Sequence, residues 1–374
     1  MKLSLIPRLN YNFSFHNLVV SFIGTFRSNL NTGQISKLFN NNDIYFTNHA
    51  RTGLRLLLNS FNLPPKARIG VQIINCHTVF NAIVKAGYKP VFIDIDDSLT
   101  ISLEDLKKKI GQIDALIVTH IFGIPAKIGK IKDIVKNKPI IEDCAHSFLS
   151  TKNGELTGTF CNAAIFSFGK GKFPSIGKGG FVIINNKMIL PIFKEYFSKL
   201  EKNNFLDEIK NIMDSLVLKI LHNRFIYRFV TFPIIKKMGN KFDLKRNFES
   251  VEKRVLKSNL SLFLNKFKKY ESYKEKQLKN TILLKEFLKN HDYLNPVQID
   301  NESEPNYIML PVITTDKNKL IGSFFKTGLE IGPHFLKSLD WAEKLGYKKN
   351  DCCNAERLIS QLVIFPTYKS IKYK

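Results

Sequence analysis

The chain has 374 residues, with 57 Lys plus Arg against 32 Asp plus Glu, a formal net charge of +25. Its 44% hydrophobic and 24% charged content is that of a folded protein and excludes a disordered, collagen-like or small disulfide-stapled chain. The charge bears on partners, not on fold: nucleic acid, an anionic membrane surface and a phosphorylated substrate are the three to weigh, beside a plain Lys- and Asn-rich bias.

From Asp43 to Ile184 short apolar runs alternate with helical patterns. Residues 44–47, 68–74, 90–95, 115–120, 139–143, 163–168 and 180–185 are rich in β-branched residues and read as strands. They are continuously apolar, as in a sheet covered on both faces. Amphipathic stretches lie between them: TGLRLLLNS, FNAIVKAG, SLEDLKKKI and KIGKIKDIVK. This alternation predicts a mostly parallel α/β sheet with its chemistry at strand ends. After Asn186 the character changes. Residues 187–242 are helical, basic and rich in Phe and Ile, and 250–289 carry a long Lys/Glu helical pattern. A strand at YIMLPVIT and a final helix at NAERLISQLV complete a smaller α+β unit. The expected organisation is a large α/β domain over 1–245, with a helical insertion at about 187–242, and a small α+β domain over 246–374.

Five cysteines, an odd number with no C-x-x-C spacing, predict neither a disulfide framework nor a structural zinc site. The eight histidines show no pair at ligand spacing, so no metal is expected. The opening MKLSLIPRLNYNFSF has no apolar core of a signal peptide. The nearest approach to a membrane span, Ser215–Ile235, is broken by Lys219, Arg224, Arg228 and Pro233. The chain is therefore read as cytoplasmic.

Three constellations could carry chemistry. In PIIEDCAHS, Asp143 ends a buried strand, where α/β sheets bind ligands, although Asp is also an ordinary helix cap. In AIFSFGKGKFPSIGKGG, Ser167 ends a strand and a loop with Lys170 and Lys172 follows, then Gly177, Gly179 and Gly180; alone it could be a solvated basic turn. In NHARTGL, Arg51 and Thr52 open a helix whose N–H groups could bind phosphate. Together they supply what pyridoxal 5′-phosphate (PLP) requires: a phosphate cradle, a carboxylate for the ring nitrogen and an amine for the aldehyde.

These motifs resemble the DegT/DnrJ/EryC1/StrS family of PLP-dependent sugar aminotransferases, of fold type I. The family's ED-x-A-[QH] matches EDCAH, and its lysine motif matches FSFGKGKFPSIGKGG without a gap. The resemblance implies Asp143 as partner of the ring nitrogen and His146 beside the cofactor's hydroxyl. It implies Ser167 as a phosphate contact and Lys172, not Lys170, as the Schiff-base lysine. Ala50, Arg51 and Thr52 become the candidate phosphate cradle, and GPH makes His334 a candidate substrate contact. The chain also departs from the pattern. Cys76 falls where an aromatic usually stacks on the ring, and His77 is the nearest substitute. His49–Ala50 replaces a small Ser-Gly pair, and Lys178 stands where many members carry Glu and is taken as a substrate contact. The segment reaching a neighbouring subunit's phosphate corresponds loosely to Arg246 and Asn247.

The implied function is transfer of an amino group, with glutamate as donor, to a nucleotide-linked keto sugar. It would serve cell-surface polysaccharide or secondary-metabolite biosynthesis, in a homodimer. The competing reading is a non-enzymatic or degenerate PLP-fold binding protein. A nucleic-acid partner is not expected, because no nucleic-acid motif occurs and EDCAH with Lys172 would have no role there. The basic apolar stretch 215–237 is read first as a hairpin packed on the large domain or in a dimer interface. Its second reading is a peripheral membrane contact through Arg224, Arg228, Lys236 and Lys237.

Overall fold

A computed structural model of the chain describes residues 2–369 apart from 10, 12, 239–250 and 292. The apolar runs become β1 Asp43–Thr47, β2 Arg68–Gln72, β3 Lys89–Ile93, β4 Ala115–Thr119, β5 Ile140–Asp143, β8 Ala163–Ser167 and β9 Gly180–Ile184, with a short hairpin, β6 Thr151–Lys152 and β7 Glu155–Leu156, after β5. The seven long strands form one sheet in the order β1-β9-β8-β5-β4-β2-β3. Neighbours are parallel except that β9 runs antiparallel to both β1 and β8. Helices cover both faces, so β4 and β9 are buried at every position, which is why their sequences lack alternation.

The parallel strands all deliver their C-terminal ends to one edge. Register sets Thr119 beside Asp143, and Asp143 beside Ile165 of β8. The turn into β9 brings Gly180 against the start of helix Ala50–Ser60: a Cβ there would lie 2.8 Å from the Ala50 nitrogen and would also strike the Phe166 carbonyl. Only glycine permits that approach.

The expected domain boundary at 245/246 lies outside the described residues. Beyond it, helix Lys257–Phe267 still belongs to the large core, with Phe263 stacked on Phe168 at 4.8 Å and Tyr270 edge-on to Phe148 at 5.5 Å. A second core starts inside helix Tyr270–Lys289, where Leu284 and Leu288 join Leu310, Val312, Phe324 and Phe365. Its sheet is β10 Leu294–Pro296, β12 Met309–Thr314 and β13 Leu362–Pro366, while β11 Ser303–Glu304 pairs with β6 of the large unit. One correction concerns the final helix. It ends at Gln361, and Leu362–Val363 open β13, whose five residues are all buried against β12.

Two helices pack in an inverted way. Helix Phe15–Thr25 buries Asn17, Ser21, Gly24 and Thr25, and Gly24 lies so close to Ser261 that a Cβ would collide with it. Helix Phe205–Leu221, from the expected insertion, buries Glu208, Asn211 and Ser215. Both rest on helix Lys257–Phe267 through polar groups. Asn211 donates to Asn259 at 2.8 Å, and Glu208 accepts from the Lys257 and Ser258 nitrogens at 2.7 and 3.1 Å. Among the described residues no helix is long and apolar enough to cross a membrane.

Candidate active site

A cavity of about 960 Å³ opens at the C-terminal edge of the parallel strands. Asp143, at the end of β5, is buried there. Its Oδ1 accepts from the Ala145 N–H at 3.0 Å and its Oδ2 from the Thr119 hydroxyl at 3.4 Å. Thr119 in turn accepts from the Asn75 amide at 2.8 Å. Asn75 is held by helix Ser338–Glu343, whose Ser338 hydroxyl accepts its N–H at 2.9 Å and also bonds the Ile73 carbonyl. Burial pushes the Asp143 carboxyl above the usual carboxylate range, opposed by the Ala145 N–H and by the charge of Lys172.

Lys172 reaches the same cavity from the loop after β8. Burial depresses its pKa, while Cys76 and Asp143 pull the other way. Lys170, two residues earlier, is exposed on the rim. His146 is buried, and its Nδ1 accepts the Phe122 N–H at 3.0 Å. The neutral ring therefore carries its proton on Nε2. Burial, Lys172 and His334 all hold its pKa well below the ordinary value, so it is neutral. His334 comes from the small unit and meets Phe122 at 5.8 Å and His146 at 6.4 Å between ring centroids.

At the other end of the cavity helix Ala50–Ser60 begins without a side-chain cap. His49, Ala50 and Arg51 line it. The His49 ring is neutral, its pKa lowered to about 3 by burial and by Arg51 and Lys178, and its buried Nδ1 has no hydrogen-bond partner. Ser167 lines the wall between, accepting the Gly169 N–H at 3.3 Å. Lys178 also faces the cavity and pairs with Asp214 of helix Phe205–Leu221 at 3.0 Å.

The expected set therefore converges with two exceptions. Thr52 is buried with its hydroxyl donating to Asn48 at 2.9 Å and does not line the cavity, because at the third helical position it turns back towards the cap. Asn247, like Arg246, lies outside the described residues. His77 does line the cavity, and its ring packs on Trp341 with centroids 4.5 Å apart.

Sequence reasoning missed Glu142. Successive strand residues point to opposite faces, so as Asp143 enters the cavity Glu142 enters the core behind it, fully buried. It accepts from the Gly158, Phe160 and Cys161 nitrogens at 2.8–2.9 Å and from His120 Nε2 at 3.0 Å. The His120 Nδ1 is taken by the Ala126 N–H. His120, Glu142 and Cys144 sit within metal-ligand reach of one another, but these hydrogen bonds already use both ring nitrogens and both carboxylate oxygens.

Cys76 caps helix His77–Lys85. Burial alone would raise its pKa, but the His77 contact, the Lys172 charge and the Thr78 hydroxyl at 3.1 Å bring it down to about 7. The buried Cys144 and Cys161 thiols are pushed well up instead. Alkylation of Cys76 by iodoacetamide, followed by peptide mapping to separate it from the exposed Cys353, is thus expected to rise with pH about a midpoint near 7. A midpoint at the ordinary thiol value of about 8.5 would contradict the cavity electrostatics.

Residues 34–204 match the DegT/DnrJ/EryC1/StrS aminotransferase family. Lys172, Asp143, His146 and Ser167 all fall inside the matched segment. Among curated relatives, the GDP-perosamine synthase of Vibrio cholerae is 37% identical over 114 residues, 29% of this chain and 31% of that protein. The chain thus spans about a third of the length of the first curated relatives it matches. Among solved structures, the sugar aminotransferase CalS13 from Micromonospora echinospora superposes with a TM-score of 0.75 at 15% identity, covering 98% of this chain and 96% of that one. Spr1654 from Streptococcus pneumoniae, solved in a PLP form, superposes at 0.74 and 15% identity, covering 98% and 95%. The fold is the fold type I architecture that these structures share.

Proposed function

We propose that the protein is a PLP-dependent aminotransferase that converts a nucleotide-linked keto sugar to an amino sugar, with glutamate as donor, in the cytoplasm and as a homodimer. The observation that carries the reading is the meeting of a buried carboxylate and a deprotonation-prone lysine in one cavity, inside the DegT-family segment. The residues present fit the cofactor. Asp143 has a hydrogen-bonded, buried carboxylate with acceptor capacity to spare, and the His49 Nδ1 is an orphaned polar atom beside an uncapped helix start. Lys172 would hold the cofactor, with Asp143 at its ring nitrogen, His146 at its hydroxyl, and Ala50, Arg51 and Ser167 at its phosphate.

When bound, PLP supplies an electron-accepting ring and a reactive aldehyde. The chain supplies the rest. Asp143 keeps a protonated ring nitrogen charged, and that cation would in turn return the carboxyl to its anionic form. Lys172 Nζ, poised by burial towards its neutral form, accepts and returns a proton at the substrate carbon. His146 is fixed as an Nε2–H donor by its Phe122 bond. Lys178 and His334, both lining the cavity, are the substrate contacts.

The test is direct. The purified protein should be yellow, and borohydride should fix PLP on the one peptide containing Lys172. A colourless protein that takes up no PLP overturns the reading. A yellow protein whose colour glutamate never bleaches supports the degenerate binder instead. Asp143→Asn keeps the shape of the site but removes its charge. It should lower the transamination rate about 10²–10³-fold while borohydride still fixes PLP. An unchanged rate would remove Asp143 from its role.

A further inference from the structure

The insertion and the N-terminal helix form one outward-facing apolar surface. On helix Phe15–Thr25 and its C-cap, Phe15 (70% exposed), Val19, Phe22, Ile23 and Phe26 (64%) follow one helical face. On helix Phe205–Leu221, Leu206 (75%), Met213, Val217 and Ile220 do the same. The helices lie side by side and antiparallel. Phe26 meets Phe205 with ring centroids 5.9 Å apart, and at the other end the Lys219 ammonium sits 4.2 Å over the Phe15 ring. The following turns add exposed Phe225, Phe229, Ile234 and Ile235.

Ordinary surface helices turn their apolar stripe to the core. Here the small and polar residues are inside and the large apolar ones outside, the arrangement of helices packed within lipid. The charge is one-sided as well. Residues 15–27 and 215–238 contain no acid, yet carry Arg27, Lys219, Arg224, Lys236 and Lys237 towards this side, besides Arg228, which is buried over the Phe325 ring and takes no part in it. The acids of helix Phe205–Leu221 are already engaged: Asp207 with Lys253, Asp214 with Lys178, and Glu208 at the start of helix Lys257–Phe267.

We propose that this face docks the protein on an anionic lipid bilayer as a peripheral, non-spanning contact. The apolar side chains would enter the headgroup–acyl boundary and the cations would meet lipid phosphates. A second copy of the chain fits less well. A two-fold contact sets a patch against itself, and this one would oppose cations to cations, its partly exposed acids Asp207 and Asp214 being already paired.

The experiment is co-sedimentation of the full-length protein with phosphatidylglycerol/phosphatidylcholine vesicles, pure phosphatidylcholine vesicles being the control. Binding is expected to the mixed vesicles, at least tenfold weaker to the neutral ones, and weakened by salt. The triple variant Phe15→Ser/Phe22→Ser/Val217→Ser should lose it at least tenfold. The variant Lys219→Gln/Lys236→Gln/Lys237→Gln should lose the preference for anionic lipid, by about fivefold for each cation removed. All these side chains are exposed except the half-buried Lys219, and unchanged PLP uptake or circular dichroism verifies each fold. No sedimentation of the native protein at low salt overturns the proposal. So does a dimer that the triple serine variant splits while vesicle binding is unaltered, since a second copy would then own the face. Because the readout is sedimentation, its failure is separate from any failure of the catalytic reading.

Discussion

Replacing Lys172 by Ala is expected to abolish both the borohydride-fixed PLP adduct and transamination while leaving the protein folded. The fold should survive because burial already disfavours this ammonium, so its removal relieves a desolvation cost. The activity should not, because a positioned proton carrier contributes about 10²–10⁴-fold, and the same amine is the anchoring point. Lys172→Arg sharpens the test. It restores the positive charge beside Asp143 and Cys76, but a guanidinium cannot give up its proton at neutral pH. It should therefore be as inactive as the alanine variant. The glutamate-dependent rate and a peptide map after reduction read both outcomes. An adduct that persists in Lys172→Ala and maps to Lys170 would place the chemistry on the rim lysine.

The largest stability effect is expected at Glu142, which touches no part of the cavity. Glu142→Ala leaves three backbone N–H groups and the His120 Nε2–H without an acceptor in a fully buried position. At about 1–3 kcal/mol for each orphaned donor, the loss should be at least about 3 kcal/mol. Glu142→Gln is the finer probe. Its amide can accept on one side, but its NH₂ would face two donors, and His120 cannot switch tautomer while its Nδ1 accepts the Ala126 N–H. A loss of about 1–3 kcal/mol follows. Urea unfolding of the three proteins measures both. A Glu142→Ala variant within about 1 kcal/mol of the native chain would mean that these loops find other partners.

Much of the site was legible because it is local. Asp143, His146, Ser167 and Lys172 each sit on a strand end or the loop behind it, so motif spacing carried them to one edge of the sheet. What the motifs could not carry was direction. Thr52 belongs to the right helix start, yet only the helical register decides that its hydroxyl turns to Asn48 and not to the cavity. The glycines after Lys172 read from the sequence as part of a basic turn, and only the fold shows that Gly180 makes room for the Ala50 backbone. Ser338, His334 and Trp341 reach the site from some two hundred residues further along, and of these only His334 had a local signature. Periodicity had the same blind spot in the insertion. It shows that a helix has an apolar face, but not which way that face is turned, and the default of apolar-inside is reversed on helix Phe205–Leu221.

The Ser338 hydroxyl has a consequence beyond positioning. By bonding the Ile73 carbonyl and the Asn75 N–H it ties helix Ser338–Glu343 to the chain Asn75–Thr119–Asp143. That helix, whose Leu339, Trp341 and Ala342 pack on the large core, cannot leave the cavity without releasing buried polar groups at Ile73 and Asn75. Any ligand that tightens Asp143 is thereby felt at this helix, more than two hundred and fifty residues along the chain from Asn75, and its binding stabilises the folded state as a whole.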